Sequence, residues 1–191
     1  MKYLDLLNYY EKNLIIKPQD VYFWGNEKTI RSQLSRWAKF GKLIELRKGY
    51  YLLPQKLRKF PPLFYIANVI YMPSYISFQS ALSFYNLIPE AVYSITSVTT
   101  RTTYEINNKV GNFIYRKIKN DLFFDYVSIN INDYPVFIAK PEKALLDTVY
   151  IDHVEEESLR LQNSDLLNKD KLEKLLKNYP KWVKKNVEEI L

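Results

Sequence analysis

The chain has 191 residues, of which 47% are hydrophobic and 16% aromatic, and its formal net charge is +7. This composition supports a packed core of one average domain and a small one. The sequence contains no cysteine and a single histidine, His153, which excludes disulfides, thiolate zinc sites and cysteine nucleophiles. A catalytic triad or metal cluster would have to be built without a second imidazole, and no metal or other cofactor is expected.

The positive charge is concentrated in the first third of the chain. Residues 1–60 contain 13 Lys and Arg against 5 Asp and Glu, a net charge of +8, whereas residues 61–191 contain 15 against 16, a net charge of −1. A basic segment attached to a neutral one is typical of a polyanion-binding module joined to a second module.

The basic segment has the element order of a winged helix-turn-helix. Leu4, Leu7 and Tyr10 or Glu11 lie at helical spacing and predict a first helix over 2–13. Pro18 favours the first position of a short second helix that ends near Trp24. Asn26 is expected to cap a third helix. A short alternating hairpin follows that helix.

The stretch "IRSQLSRWAKFGKLIELRKGYYLLP", residues 30–54, carries most of the predicted DNA contacts. On a helical wheel, one face of the third helix is cationic or hydroxylated and lacks acids, which suits phosphates and base edges in the major groove. The hairpin turns its apolar residues inward and leaves two cations at a tip before Gly49, where a wing would contact phosphates. The expected DNA-binding residues are Lys28, Thr29, Ser32, Ser35, Arg36, Lys39, Arg47 and Lys48. The alternative is an ordinary solvated helix with a basic turn, or a unit of this kind that contacts protein.

A proline-bracketed basic stretch, "PQKLRKFPP" at 54–62, predicts a linker. We therefore expect a winged helix-turn-helix domain at 1–56 and a second domain at 57–191. In the second domain, "LFYIANVIY" is typical of a helix or a buried strand, "FQSALSFYNL" of a helix, and four alternating segments between 92 and 139 predict strands. Helices are predicted from Pro141 onward. The fold class is therefore α+β, with a small second domain that ends in a helical tail.

The second domain shows no convincing catalytic pattern. Glu142 and Asp147 are five residues apart on a predicted helix and so do not share one face, and an acid-x-lysine strand of the restriction-nuclease type is missing. The N-terminus lacks the unbroken apolar stretch of a signal peptide, and no window is long enough to cross a bilayer. We therefore expect a cytoplasmic protein without enzymatic activity or membrane association.

Three blocks of the second domain, together with residues 30–54, resemble the AbiEi family of abortive-infection antitoxins. The blocks are "YISFQSALSFYNLIPEAVYSITSVTT" at 75–100, "GNFIYRKIKNDLFFDY" at 111–126 and "VFIAKPEKALLDTVY" at 136–150. They occur in the family's order, and the resemblance covers roughly residues 1–150. It implies a transcriptional regulator of a phage-defence operon whose winged helix represses its own promoter. The second domain would counter a nucleotidyltransferase-like toxin, in the type IV scheme without a stable complex.

The resemblance also implies functional positions in the second domain. Pro141 and Glu142 are first interpreted as structural residues. Pro141 begins a helix, and Glu142 places an acid at the positive N-terminal end of that helix. Arg116, Lys143 and Asp147 are the positions to which an antitoxin function would be assigned. The tail beyond about residue 155 matches no block and receives no role.

Two other functions remain open. The chain could be a plain DNA-binding regulator whose second domain senses a ligand or mediates oligomerisation, or an enzyme that performs phosphoryl or nucleotidyl chemistry. A downstream gene for a nucleotidyltransferase-fold protein would favour the antitoxin, whose expected partners are double-stranded promoter DNA and the cognate toxin.

Overall fold

The computed structural model describes residues 2–10, 15–54, 60–153 and 159–191, which form a mixed α+β chain. The chain divides into two compact units. The first comprises Met1–Pro62 together with Asn107–Val110, and the second comprises Leu63–Ile106 together with Gly111–Leu191. The boundary predicted between residues 56 and 57 lies outside the described residues.

The first unit contains two α-helices and a three-stranded antiparallel sheet of order β1-β3-β2. Its elements are α1 (Tyr3–Tyr9), β1 (Ile15–Ile16), a 3-10 helix (Pro18–Trp24), α2 (Glu27–Lys39), β2 (Ile44–Arg47) and β3 (Tyr50–Leu52). The predicted first helix is thus found over a shorter range, and its last predicted residues, 11–13, lie outside the described part of the chain. Pro18 begins the 3-10 helix, as predicted.

Helix α2 has a defined start and a single buried face. The side chain of Asn26 accepts a hydrogen bond of 2.9 Å from the backbone N–H of Thr29, which confirms the predicted N-cap. Ile30, Leu34 and Trp37 follow at helical spacing and are buried. Their burial orients the helix and leaves its opposite face to solvent.

The hairpin of β2 and β3 turns at Lys48 and Gly49. Gly49 has a φ of +84°, a conformation that side chains with a Cβ rarely adopt. Leu43, Leu46 and Tyr51 are buried, as the alternation predicted. Residues from a distant part of the chain also belong to this unit, since Asn108 donates a side-chain hydrogen bond of 2.7 Å to the carbonyl oxygen of Leu46.

The second unit is built around a six-stranded mixed sheet of order β6-β7-β5-β4-β9-β8. Strand pairs β5–β7 and β4–β9 are parallel, and β4–β5 and β8–β9 are antiparallel. The strands are β4 (Ser74–Ile76), β5 (Ser94–Thr99), β6 (Tyr104–Asn107), β7 (Asn112–Lys117), β8 (Tyr126–Ile131) and β9 (Tyr134–Ala139). The helices are α3 (Leu63–Ile70), α4 (Phe78–Phe84), α5 (Pro141–Asp152), α6 (Lys169–Leu176) and α7 (Lys181–Ile190), with 3-10 turns at Asn120–Leu122 and Ser164–Leu166.

The predicted helical tail is part of the packed second unit. Helices α6 and α7 both pack against α5, and Leu172, Leu176, Val183 and Val187 are buried. The apolar residues at three- and four-residue spacing therefore cover α5, and the segment is helical, as predicted. Among the described residues, no helix combines the length and apolar character needed to cross a membrane.

Candidate nucleic-acid interface and a buried polar centre

The outer face of α2 presents most of the residues that the sequence singled out. Lys28, Thr29, Ser32, Arg36 and Lys39 are exposed, and Ser35 is half-buried. They share the side of the helix opposite its buried residues. The first unit therefore displays a polar, cationic surface along the length of α2.

A shallow groove of about 470 Å³ runs along this face. Its lining consists of Lys28, Thr29, Ser32, Gln33 and Arg36, without a carboxylate. Sequence reasoning missed Gln33, although its positions four residues after Thr29 and three before Arg36 place it beside both. A glutamine amide can both donate to and accept from a base edge.

The one acid in the first turn of α2 is paired locally. Glu27 accepts a hydrogen bond of 2.7 Å from Nε of Arg31 one turn later, and both side chains are exposed. The hydrogen bond from Arg31 holds the pKa of Glu27 below its usual value. Arg31 therefore pairs with Glu27, and the cations that line the groove are Lys28 and Arg36.

The two cations at the tip of the hairpin differ in environment. Lys48 is exposed, whereas Arg47 is half-buried and its guanidinium lies 4.3 Å from the ring centroid of Tyr50. A guanidinium over an aromatic face is held by the quadrupole of the ring. Lys48 is therefore the more accessible cation of the turn.

The second unit encloses a charged pair. Lys143 and Asp147, one turn apart on α5, are both 0% exposed, and the ammonium of Lys143 donates to Oδ1 of Asp147. Oδ2 of Asp147 accepts hydrogen bonds from the hydroxyls of Ser77 at 2.7 Å and Tyr75 at 3.0 Å. The ammonium also donates to the hydroxyl of Tyr179 at 2.9 Å. Side chains from β4, from the residue that follows it, from α5 and from the segment after α6 thus meet in one polar centre.

Burial raises the pKa of the acidic side chains in this centre. Desolvation raises the pKa of the Asp147 carboxyl, and the ammonium of Lys143 and the two hydroxyl donors oppose that rise. Desolvation and the adjacent Asp147 raise the pKa of both Tyr75 and Tyr179, which keeps the two phenols neutral. Neutral phenols can donate and accept the hydrogen bonds that a buried ion pair needs.

A second ionic network ties α5 to α6. Glu142 accepts a hydrogen bond of 2.6 Å from Nζ of Lys171 and another of 3.0 Å from the backbone N–H of Asn168. Lys171 also lies 3.0 Å from a carboxylate oxygen of Asp125. Burial lowers the pKa of Lys171, but the hydrogen bonds that its ammonium donates to Glu142 and Asp125 outweigh that effect and raise the pKa overall. Glu142 therefore has the structural role at the start of α5 that its position predicted.

The structure separates the three residues to which antitoxin function was assigned. Lys143 and Asp147 have no solvent-accessible surface, so neither side chain is available for direct contact with a partner. Arg116 on β7 is 42% exposed and lies 3.0 Å from Asp152 at the end of α5. Within the described ranges, no three His, Asp or Glu side chains converge as metal ligands would.

Comparison with protein-family models found no match to the chain, and comparison with curated proteins found none. The resemblance to the AbiEi antitoxins therefore rests on the sequence blocks alone.

Proposed function

We propose that this chain is a DNA-binding transcriptional repressor whose first unit acts as a winged helix-turn-helix. The observation that carries this proposal is the exposed face of α2, where cations, hydroxyls and an amide line one groove without a carboxylate. In this arrangement α2 is the recognition helix and the hairpin of β2 and β3 is the wing.

The dimensions of α2 fit the major groove of DNA. Its 13 residues span about 20 Å, and the groove is about 12 Å wide. Lys28 and Lys39 lie near opposite ends of the helix, where they reach phosphates on either side of the groove. Ser32, Gln33 and Arg36 lie between them and face the base edges, so these three residues carry the sequence preference.

The wing supplies contacts that do not depend on sequence. Lys48 projects from the turn and contacts a neighbouring phosphate, while Arg47 is held against Tyr50. Since phosphate contacts position a protein without reading bases, loss of the Lys48 charge lowers affinity for specific and random duplexes alike.

For the second unit, the resemblance to the AbiEi family supports an antitoxin role against a nucleotidyltransferase-like toxin in the cytoplasm. This role involves no catalysis by the chain itself. Arg116 is the exposed member of the assigned residues and the one that a partner can reach. Lys143 and Asp147 are buried and contribute to this role through the stability of the second unit.

Fluorescence anisotropy with a duplex from the region upstream of the gene tests DNA binding. Arg36→Ala is expected to weaken binding by about 1–3 kcal/mol if Arg36 contacts a base, or to reduce the salt slope by about 1 if it contacts a phosphate. The matched control, Lys185→Ala, removes one exposed cation from the second unit and is expected to bind as the wild type does. Equal affinity of Arg36→Ala and the wild type would contradict the proposed recognition helix.

Growth rescue tests the antitoxin role separately. If a nucleotidyltransferase-fold protein is encoded beside this gene, cells that express it are plated with the full chain, with residues 60–191 and with residues 1–62. We expect rescue by the first two and repression of a promoter reporter by the full chain only. Arg116→Ala is compared with Arg160→Ala, another exposed arginine. Failure of a folded 60–191 fragment to rescue would show that neutralisation requires the basic unit.

A further inference from the structure

The second unit contains a cavity of about 180 Å³ whose walls are largely apolar and include four aromatic residues. Tyr65 of α3, Phe123, Tyr126 of β8 and Phe137 of β9 contribute rings, and Val69 and Ser74 contribute smaller side chains. We call this space the aromatic cavity. Met72 and Phe137, which are 52% and 43% exposed, form the solvent-facing part of its lining, so a ligand can enter without unfolding the unit.

The size and lining of the aromatic cavity define the chemistry of its ligand. An apolar cavity of about 150 Å³ holds one benzene ring, so this space fits a single six-membered ring with a small substituent. No Lys, Arg, His, Asp or Glu lines it. A charged ligand would lose its hydration without gaining an ionic partner, and the lining therefore selects for a neutral molecule.

One polar group of the lining has an unused hydrogen bond. Ser74 is 6% exposed, and its hydroxyl oxygen is buried without a hydrogen-bond partner among the described residues. The neighbouring Asn68 is already engaged, because its side-chain oxygen accepts a hydrogen bond of 2.8 Å from the backbone N–H of Phe137. Buried hydroxyls are normally paired, so Ser74 is the position at which a ligand would gain a hydrogen bond.

We propose that the aromatic cavity binds a neutral, single-ring aromatic molecule with one hydrogen-bonding substituent, of the phenol type. The ring packs between Tyr65, Tyr126 and Phe137, and the substituent bonds to the hydroxyl of Ser74 after rotation of that side chain about χ1. This site does not depend on DNA binding.

One ring of the aromatic cavity also contacts the buried polar centre. Tyr126 stacks on Tyr75 with ring centroids 4.7 Å apart, and the hydroxyl of Tyr75 donates to Asp147. A ligand that packs against Tyr126 therefore adds to a stack of rings that supports the ion pair. We expect occupancy to raise the melting temperature of the second unit, since the ligand binds only the folded state.

Titration of the full chain with phenol, toluene and benzoate, followed by calorimetry and by ¹⁹F NMR with 4-fluorophenol, tests the proposal. We expect phenol to bind with a dissociation constant of about 1 mM or lower, toluene to bind more weakly, and benzoate not to bind. Ser74→Ala should weaken phenol binding about fivefold, the value of one neutral hydrogen bond, and leave toluene binding unchanged.

Steric variants locate the bound ring. Val69→Phe fills the aromatic cavity and should abolish binding, with Val69→Met as a milder variant if the first does not fold. Leu166→Phe enlarges an exposed side chain elsewhere and should leave binding unchanged. The proposal is overturned if phenol does not bind at millimolar concentration, if a folded Val69 variant binds as the wild type does, if Ser74→Ala has no effect on phenol, or if benzoate binds as well as phenol.

Discussion

The ammonium of Lys143 and the carboxylate of Asp147 contact each other inside the second unit, with neither side chain exposed to solvent. Removal of two charges from water is costly, and the mutual attraction offsets that cost only where the remaining hydrogen-bonding groups are satisfied. Ser77, Tyr75 and Tyr179 provide those hydrogen bonds. The stability of the second unit therefore depends on all members of the centre being present together.

Asp147→Ala is expected to destabilise the second unit by about 3–5 kcal/mol, because it leaves the Lys143 ammonium buried without a carboxylate. The free energy of unfolding is measured by urea denaturation of the full chain. The double variant Lys143→Met with Asp147→Leu removes both charges and should recover most of the loss. A loss below about 1 kcal/mol for Asp147→Ala would show that the pair is not coupled as the structure indicates.

The double variant also separates structure from function at this centre. Since both side chains lie beneath the surface, a folded double variant should still rescue cells from the toxin. If it is as stable as the wild type but fails to rescue, Lys143 and Asp147 have a direct role that their burial argues against.

The buried phenols should make the protein sensitive to alkali. An exposed tyrosine in the unfolded chain ionises at about pH 10, whereas burial and Asp147 raise the pKa of Tyr75 in the folded state. The contribution of Tyr75 is therefore complete below about pH 10 and is lost above it, at about 1.4 kcal/mol per pH unit. The free energy of unfolding is measured by urea denaturation between pH 8 and pH 11. Above about pH 10 it should fall less steeply with pH in Tyr75→Phe than in the wild type, by about 1.4 kcal/mol per pH unit. Parallel slopes for the variant and the wild type would contradict the raised pKa.

Deletion of α6 and α7 should unfold the second unit. A chain that ends at Leu167 loses the hydroxyl of Tyr179 from the polar centre and uncovers the apolar face of α5. We expect circular dichroism to show loss of the cooperative transition of this unit. A control chain that ends at Glu189 removes only the last two residues and should melt as the full chain does. An unchanged transition in the shorter chain would show that α6 and α7 are not needed for the stability of this unit.

The first unit depends on the N-cap of α2. Asn26→Ala removes the acceptor for the Thr29 N–H and is expected to cost about 1 kcal/mol, measured as a lower denaturation midpoint of the first unit. Asn26→Asp keeps the acceptor at the positive end of the helix and should retain stability. Equal losses of stability in both variants would mean that Asn26 stabilises the first unit through something other than its capping hydrogen bond.

The sequence predicted those elements whose signals are local. Asn26 and Pro141 mark the starts of α2 and α5, and three- and four-residue spacing identifies α2, α6 and α7. Strands β1 and β4, of two and three residues, are too short for any periodic signal, so pairing with neighbouring strands defines them.

The candidate site was predictable to a different extent in each unit. The exposed face of α2 follows from helical geometry alone. The pairing of Lys143 with Asp147 had a local signal in their spacing of four residues, although its burial did not. Tyr179 joins the centre from 36 residues away along the chain, and the aromatic cavity joins residues from α3 to β9, so only the fold reveals these contacts.

The segment Asn107–Val110 belongs to the first unit, although it starts at the last residue of β6 and leads to β7. This arrangement affects the order in which the units fold during synthesis. During synthesis the first unit obtains its Asn108 hydrogen bond to Leu46 only after β5 and β6 have left the ribosome. The basic unit therefore completes its folding midway through translation of the second. A chain cut at residue 62 would separate that unit from this segment.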